Sequence, residues 1–146
     1  MIYIGRVGSV DASKFDECYA IVRSMKSPIA GFQQLTALSP SWELFKGYRR
    51  FVEACQWNRG SFERYYAPTF LSEIKASPEA RAWLNRLYQA SEQDGKKIAL
   101  VCFCADETLC HRSIVGGMLQ GAGANVVFAS GAMKDCSEYY SMYRAA

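Results

Sequence analysis

The feature that most constrains the fold is an unbroken apolar run, Ile98–Phe103. A run of this length without polar alternation has no face that tolerates water, so it predicts a strand in the centre of a sheet. A helical stretch follows from Arg112 to about Gln120, two glycines end it, and Asn125–Ala129 supplies a second strand. Strand, helix and strand in this order predict a βαβ unit, which requires parallel pairing.

The first half of the chain adds two further strands, Met1–Val7 and Tyr19–Arg23. Helical spacing then dominates from about residue 40 to 93, with start signals at Ser39-Pro40 and Ser77-Pro78 and an interruption at Pro68. We therefore predict one α/β domain over residues 1–146, a Rossmann-like three-layer fold with a mostly parallel sheet. The helical region is inserted between the N-terminal strands and the C-terminal βαβ unit, and Asp135–Arg144 is predicted to form a short terminal helix.

Composition narrows the class of protein. The 146 residues are half apolar, which is enough for one packed core, and no apolar run approaches the ~20 residues of a membrane span. The N-terminus lacks the pattern of a secretion signal, and six sparse cysteines favour reduced thiols, so we expect a cytoplasmic protein without contact to a membrane. A net charge of +3 does not by itself indicate nucleic-acid binding.

The loop from Cys104 to Ser113 is the strongest candidate site. Ligands of open parallel sheets bind beyond the carboxyl ends of the strands, and this loop also leads into a helix N-terminus that favours anions. Arg112 adds a cation suited to phosphate or carboxylate, and Cys110 is a candidate nucleophile because both features stabilise a thiolate. His111, the only histidine, is the one imidazole available for proton transfer.

Each of these residues also has a plainer interpretation. Cys110 could instead be a small, half-buried packing residue, and His111 could be a structural neighbour of the helix start. Asp106 and Glu107 could either assist His111 or keep the loop soluble. Cysteine and histidine are the usual zinc ligands, so Cys102, Cys104, Cys110 and His111 form a candidate zinc set. Paired Cys-x-x-Cys knuckles are absent, however, so we predict no metal. Gly5–Ser9 is too weak a glycine-rich turn to predict a nucleotide cofactor.

A basic region with interspersed aromatic rings gives a second hypothesis. Its arginines are Arg49, Arg50, Arg59 and Arg64. Single-stranded nucleic acid uses such mixtures, but helical spacing assigns most of the rings to the core. A non-catalytic module that binds nucleic acid or protein through this surface is therefore the alternative to a small-ligand enzyme.

Several motifs resemble one family. They are Leu38-Ser-Pro-Ser-Trp-Glu-Leu44, Trp57 with Tyr65 and Tyr66, and above all Leu100-Val-Cys-Phe-Cys104 followed by Cys110-His-Arg-Ser113. This chain resembles the bacterial, archaeal and phage family named domain of unknown function 488 (DUF488), from the first strand through the strand at Val126.

The resemblance implies a compact α/β domain with its site at the Cys-His-Arg loop and contributions from the first two strand ends. Arg6 and Arg23 are the candidates there, and the Asp-x-Arg pattern typical of the family's second strand is reduced here to Arg23. The family has no established activity. The first hypothesis is thus a hydrolase or transferase that binds a small anionic ligand, such as a nucleotide, with Cys110, His111 and Arg112 as catalytic residues. Ligand-binding roles are expected for Arg6, Arg23, Cys104, Asp106 and Ser113.

Overall fold

The central element of the structure, a computed structural model that describes residues 1–131 and 135–146, is a five-stranded sheet with parallel pairings throughout. The strands lie in the order β3-β2-β4-β1-β5. Their bounds are Ile2–Arg6 (β1), Glu17–Ala20 (β2), Gln33–Gln34 (β3), Ile98–Cys102 (β4) and Val126–Phe128 (β5).

Helices pack on this sheet and against one another. Their bounds are Trp42–Glu53 (α1), Arg59–Ser61 (α2), Ala67–Ala76 (α3), Pro78–Glu92 (α4), His111–Gly121 (α5) and Glu138–Ala145 (α6). Within the described residues none of them is long and apolar enough to cross a membrane. The α/β class, the parallel sheet and the Rossmann-like arrangement predicted from the sequence are confirmed.

Strand β4 lies in the middle of the sheet, between β2 and β1, and all five of its residues are buried. The prediction of a central strand from the apolar run is therefore confirmed. Cys102, the last residue of β4, pairs in register with Arg6 at the end of β1. Both strands thus end at the same edge of the sheet, which is the edge where parallel sheets bind ligands.

The second strand begins and ends earlier than predicted, at Glu17 and Ala20 rather than at Tyr19 and Arg23. The side-chain amide of Gln34 donates hydrogen bonds to the carbonyl oxygens of Val22 and Arg23, each at 3.1 Å. These carbonyls are therefore satisfied by a side chain, and Arg23 belongs to the loop that follows the strand.

Two helix details also differ from expectation. The cap of α1 is Ser41, whose Oγ accepts a hydrogen bond from the Leu44 amide at 3.1 Å, and the prediction of a start at Ser39-Pro40 is wrong by two residues. Pro68 does not interrupt the second helical stretch. A π-helical segment, Phe62–Tyr66, joins α2 to α3 and puts the proline in the first turn of α3, where no helical N–H is required of it.

Close packing fixes the position of α5, whose N-terminus carries the candidate site. A Cβ added at Gly116 would lie 2.9 Å from the ring of Phe128 on β5 and 3.0 Å from Ile4 on β1. At Gly117 the same atom would lie 2.2 Å from the carbonyl oxygen of Cys136, just before α6. The absence of side chains at these two positions therefore lets α5 approach the sheet on one side and α6 on the other.

Substituting Gly117→Ala tests this packing. An alanine in a helix interior normally stabilises by up to about 1 kcal/mol over glycine. Here the backbone of Cys136 has no room for the methyl group, so we expect a net loss of about 1–3 kcal/mol and a melting temperature lower by roughly 3–10 °C. An unchanged or higher melting temperature in calorimetry would show that α6 is not packed this closely.

Candidate functional site

The loop between β4 and α5 is held in shape by its own polar groups. Asp106 Oδ1 accepts hydrogen bonds from the amide of Thr108 at 3.0 Å and from its hydroxyl at 2.6 Å, and so caps the 3₁₀ turn Glu107–Leu109. Ser113 is fully buried and donates its hydroxyl proton to the Cys110 carbonyl at 2.7 Å. Asp106 and Ser113 thus shape the loop and the start of α5.

Arg112 is buried, with 3% of its surface exposed, and faces the sulfur atoms of the site. Its Nη1 donates to Cys102 Sγ at 3.0 Å and to the Cys104 carbonyl at 2.7 Å, and lies 3.7 Å from Cys110 Sγ. On the other side its Nε lies 3.9 Å from Glu107 Oε1, while Glu107 Oε2 accepts a hydrogen bond from the Ser130 hydroxyl. The guanidinium therefore lies between a carboxylate and a group of thiols.

The three thiols of Cys102, Cys104 and Cys110 form one cluster. The Cys102 and Cys110 sulfurs are 2.9 Å apart, and both residues are 1% exposed. Hydrogen bonds from the Cys104 and Cys110 thiols, together with the positive charge of Arg112, hold the pKa of Cys102 far below that of an ordinary cysteine. The same hydrogen bond to Cys102 raises the pKa of Cys104 to about 12, and burial raises the pKa of Cys110 well above its usual value. These opposite shifts favour ionisation of Cys102 over that of Cys104 and Cys110.

His111 has its tautomer fixed by the backbone. Its Nε2 lies 2.5 Å from the carbonyl oxygen of Ile21, which can only accept, so Nε2 carries the proton. Nδ1 faces Cys110 Sγ at 3.6 Å. The imidazole is thereby oriented with Nδ1 toward the thiol cluster, and the ring packs against Phe70 at a centroid distance of 5.7 Å.

A cavity of about 290 Å³ opens onto this cluster. Three cysteines and His111 line it on one side, and aromatic rings line it on the other. The rings are those of Trp42, Phe45, Tyr48, Tyr66 and Phe103. Trp42, Phe45 and Tyr48 recur every third residue of α1 and so share one face of that helix. Trp42 and Phe103 are 52% and 50% exposed, which marks them as the solvent end of the cavity.

Arg23 is the cation that lines this cavity. Its Nε donates to the Pro40 carbonyl at 2.9 Å, which positions the side chain and leaves the two terminal nitrogens out of that bond. Burial raises the pKa values of Tyr48 and Tyr66, so both phenols keep their protons and remain hydrogen-bond donors. Among the residues that the structure describes, the lining thus combines flat apolar walls, neutral donors and the guanidinium of Arg23.

The donor atoms of Cys102, Cys110 and His111 lie within 4.8 Å of one another, close enough to consider a metal ion. Two cysteine ligands of a tetrahedral zinc ion are about 3.8 Å apart, given zinc–sulfur bonds of about 2.3 Å. The sulfurs here are 2.9 Å apart, and the guanidinium of Arg112 already contributes its positive charge to them. The geometry therefore suits a thiol–thiolate pair better than a zinc site.

The predicted site residues fall into two groups. Arg23, Cys104, Cys110 and His111 line the cavity, whereas Arg112 is not among the lining residues and contacts them through two sulfurs and the Cys104 carbonyl. Arg6, Asp106 and Ser113 are not among the lining residues. Sequence reasoning placed Cys102 in the strand interior and assigned the α1 rings to the core. Two features of the sequence could have indicated these roles: Cys102 lies at the end of the apolar run, and the α1 rings recur every third residue.

Together, fold and site define a class of protein: an α/β domain with a parallel sheet and a Cys-His-Arg thiol cluster at its carboxyl edge. A family model described as the active DUF488-N3 subclade matches residues 2–123. The chain therefore belongs to the DUF488 family, as its motifs predicted. No curated protein and no solved structure matched the chain in the other two comparisons.

A titration of ultraviolet thiolate absorbance tests the assignment of the charge. Because the pKa of Cys102 is depressed, its thiolate is present above that low pKa and is lost only on strong acidification, whereas free cysteine protonates below about pH 8.5. We expect the native protein to retain the absorbance of one thiolate at about pH 6. Cys102→Ser should remove it, and the surface variant Cys55→Ser should not. Retention in folded Cys102→Ser would contradict the assignment.

Proposed function

We propose that the cavity binds a small anionic ligand with a flat aromatic part, of the nucleotide class, and that the Cys102 thiolate attacks this ligand. The observation that carries the proposal is the 3.0 Å hydrogen bond from Arg112 to Cys102 Sγ at the lining of an aromatic cavity. A stabilised thiolate is the form in which cysteine acts as a nucleophile.

The lining indicates the chemistry of the ligand. Aromatic side chains stack well on planar rings, and a guanidinium binds phosphate or carboxylate through paired hydrogen bonds. A volume of about 290 Å³ is at the small end of ligand sites, which favours one nucleotide or a molecule of similar size. The subclade's description as active is in keeping with an enzyme.

Arg23 takes the anion-binding role that sequence reasoning gave to Arg112. Arg112 Nη1 donates hydrogen bonds to sulfur and to a backbone carbonyl, Nε lies 3.9 Å from Glu107 Oε1, and the residue is almost fully buried. Arg23 lines the cavity and is only partly buried. Arg112 is therefore a positioning residue that stabilises the nucleophile, and Arg23 contacts the ligand.

A hydrolytic cycle follows from the arrangement of the three groups. Cys102 Sγ forms a bond to an electrophilic carbon, and the leaving group departs with the electron pair of the broken bond and takes the proton of the Cys110 thiol. His111 Nδ1 then accepts a proton from water, whose oxygen attacks the same carbon and releases Cys102 as a thiolate. The proton passes from Nδ1 to Cys110 Sγ, 3.6 Å away, and restores the starting state. Another acceptor in place of water would give a transferase.

Ligand binding can be tested by calorimetry with nucleoside monophosphates, nucleosides and inorganic phosphate. We expect at least one monophosphate to bind more tightly than its nucleoside or phosphate alone. Arg23→Ala removes a charge-assisted hydrogen bond and should weaken that binding by about 10- to 100-fold. Arg50→Ala, an exposed arginine of α1, is the matched control and should change little. Equal loss in the two variants, with steep salt dependence, would favour the basic-surface alternative instead.

The nucleophile can be tested with iodoacetate, a small anionic electrophile. Cys102 Sγ would bond to its carbon while iodide leaves, and Arg23 would attract its carboxylate. We expect peptide mapping to find the label on Cys102, with the rate about 10-fold lower in Arg23→Ala. The neutral reagent iodoacetamide serves as the control, because its rate should not depend on Arg23. Labelling mainly at Cys104 or Cys110 would contradict the assignment of Cys102 as nucleophile.

A further inference from the structure

The Cys102 and Cys110 sulfurs are closer than an ordinary non-bonded contact. Their separation of 2.9 Å lies between the about 2.05 Å of a disulfide and the about 3.5–4.0 Å of van der Waals contact between heavy atoms. The two residues end β4 and cap α5, and a seven-residue loop, 103–109, joins them. The two sulfurs therefore need to move only about 0.9 Å closer to reach the length of a disulfide bond.

We infer that Cys102 and Cys110 form a redox-active pair, oxidised to a disulfide by a hydroperoxide that enters the cavity. Both residues line the cavity, so a molecule as small as hydrogen peroxide has a path to them. The pair also has the division of roles that such chemistry needs: one thiolate to attack, and one protonated thiol in contact with it to resolve the product. The inference shares the Cys102 thiolate with the proposed function but does not depend on the nucleotide ligand.

The reaction balances without any further reagent. Cys102 Sγ attacks one peroxide oxygen, the O–O bond breaks, and the leaving oxygen takes the Cys110 thiol proton, which leaves a sulfenic acid on Cys102. Cys110 Sγ, now a thiolate, attacks the Cys102 sulfur, and the S–O bond breaks as hydroxide leaves with its electron pair and passes into the solvent. The two sulfurs together lose two electrons, and the peroxide gains two.

Neighbouring groups assist both steps. Arg112 Nη1 lies 3.0 Å from the attacking sulfur and 3.7 Å from the resolving sulfur, so one guanidinium stabilises whichever of them is the thiolate. His111 Nδ1 faces Cys110 at 3.6 Å and can accept its proton. Disulfide formation removes the thiolate, so the oxidised protein should lose its reactivity toward electrophiles until it is reduced.

Treatment of the full chain with hydrogen peroxide tests this inference. A Cys55→Ser background avoids cross-links between surface thiols. We expect the loss of two free thiols per chain, a Cys102–Cys110 linkage in peptide mapping and full recovery after reduction with dithiothreitol. In Cys110→Ser oxidation should stop at a sulfenic acid on Cys102, trapped by dimedone. Cys18→Ser, a buried cysteine outside the cluster, is the matched control and should form the Cys102–Cys110 disulfide normally.

Three results would overturn the inference: linkage of Cys102 to Cys104, over-oxidation of Cys102 without a disulfide, or no oxidation of Cys102. Mass spectrometry of the oxidised Cys55→Ser protein distinguishes these results without any substitution in the thiol cluster. Calorimetry of the reduced protein with nucleoside monophosphates is a separate readout. A disulfide without nucleotide binding would refute the proposed ligand and leave the redox pair standing.

Discussion

The site depends on how the protein accommodates a buried guanidinium. An arginine removed from water costs several kcal/mol unless charged or polar partners surround it. Arg112 finds the carboxylate of Glu107 on one side, and the sulfurs of Cys102 and Cys110 with the Cys104 carbonyl on the other. The arginine stabilises the sulfur in turn, because a thiolate in an apolar cavity is stable only beside a positive charge. Ion pairing with sulfur thus explains why the arginine is buried, while hydrogen bonds from the Cys104 and Cys110 thiols are the main reason that Cys102 ionises most easily.

The parallel sheet makes this pairing rigid. Cys102 is fixed at the end of the central strand, and the helix that carries Arg112 is fixed by glycine contacts with β1, β5 and the segment before α6. His111 is tied by its ring nitrogen to the chain after β2. Strand β4 supplies the cysteine and the first turn of α5 supplies both the cation and the imidazole, and the chain after β2 holds the imidazole in place. Rings from α1 line the same cavity as the cysteines and His111, so the cluster lies in a partly apolar environment.

The fold was predictable where the local sequence pattern of an element, such as an apolar run or a terminal glycine, directly reflects the position of that element in the structure. The apolar run of β4 and the glycine-terminated helix α5 specify the strand–helix–strand unit, whose two strands lie on either side of β1, and the Cys-His-Arg motif specifies the candidate site. The roles within the site were less predictable. Which of the three cysteines ionises most easily depends on the hydrogen bonds among their sulfurs, and which arginine lines the cavity depends on side-chain directions such as that of Arg23 toward the Pro40 carbonyl. Neither is encoded in spacing along the chain. The edge strand β3, with two polar residues, gives no apolar pattern to detect.

The ionisation of Cys102 is tested most directly by nuclear magnetic resonance of the reduced protein labelled at cysteine Cβ, because this carbon reports the ionisation of the attached sulfur. We expect a thiolate signal for Cys102 at neutral pH, with thiol signals for Cys104 and Cys110 in the same spectrum. A thiolate signal at Cys110, or thiol signals from all three residues, would contradict the assignment of Cys102 as the charged nucleophile held by Arg112.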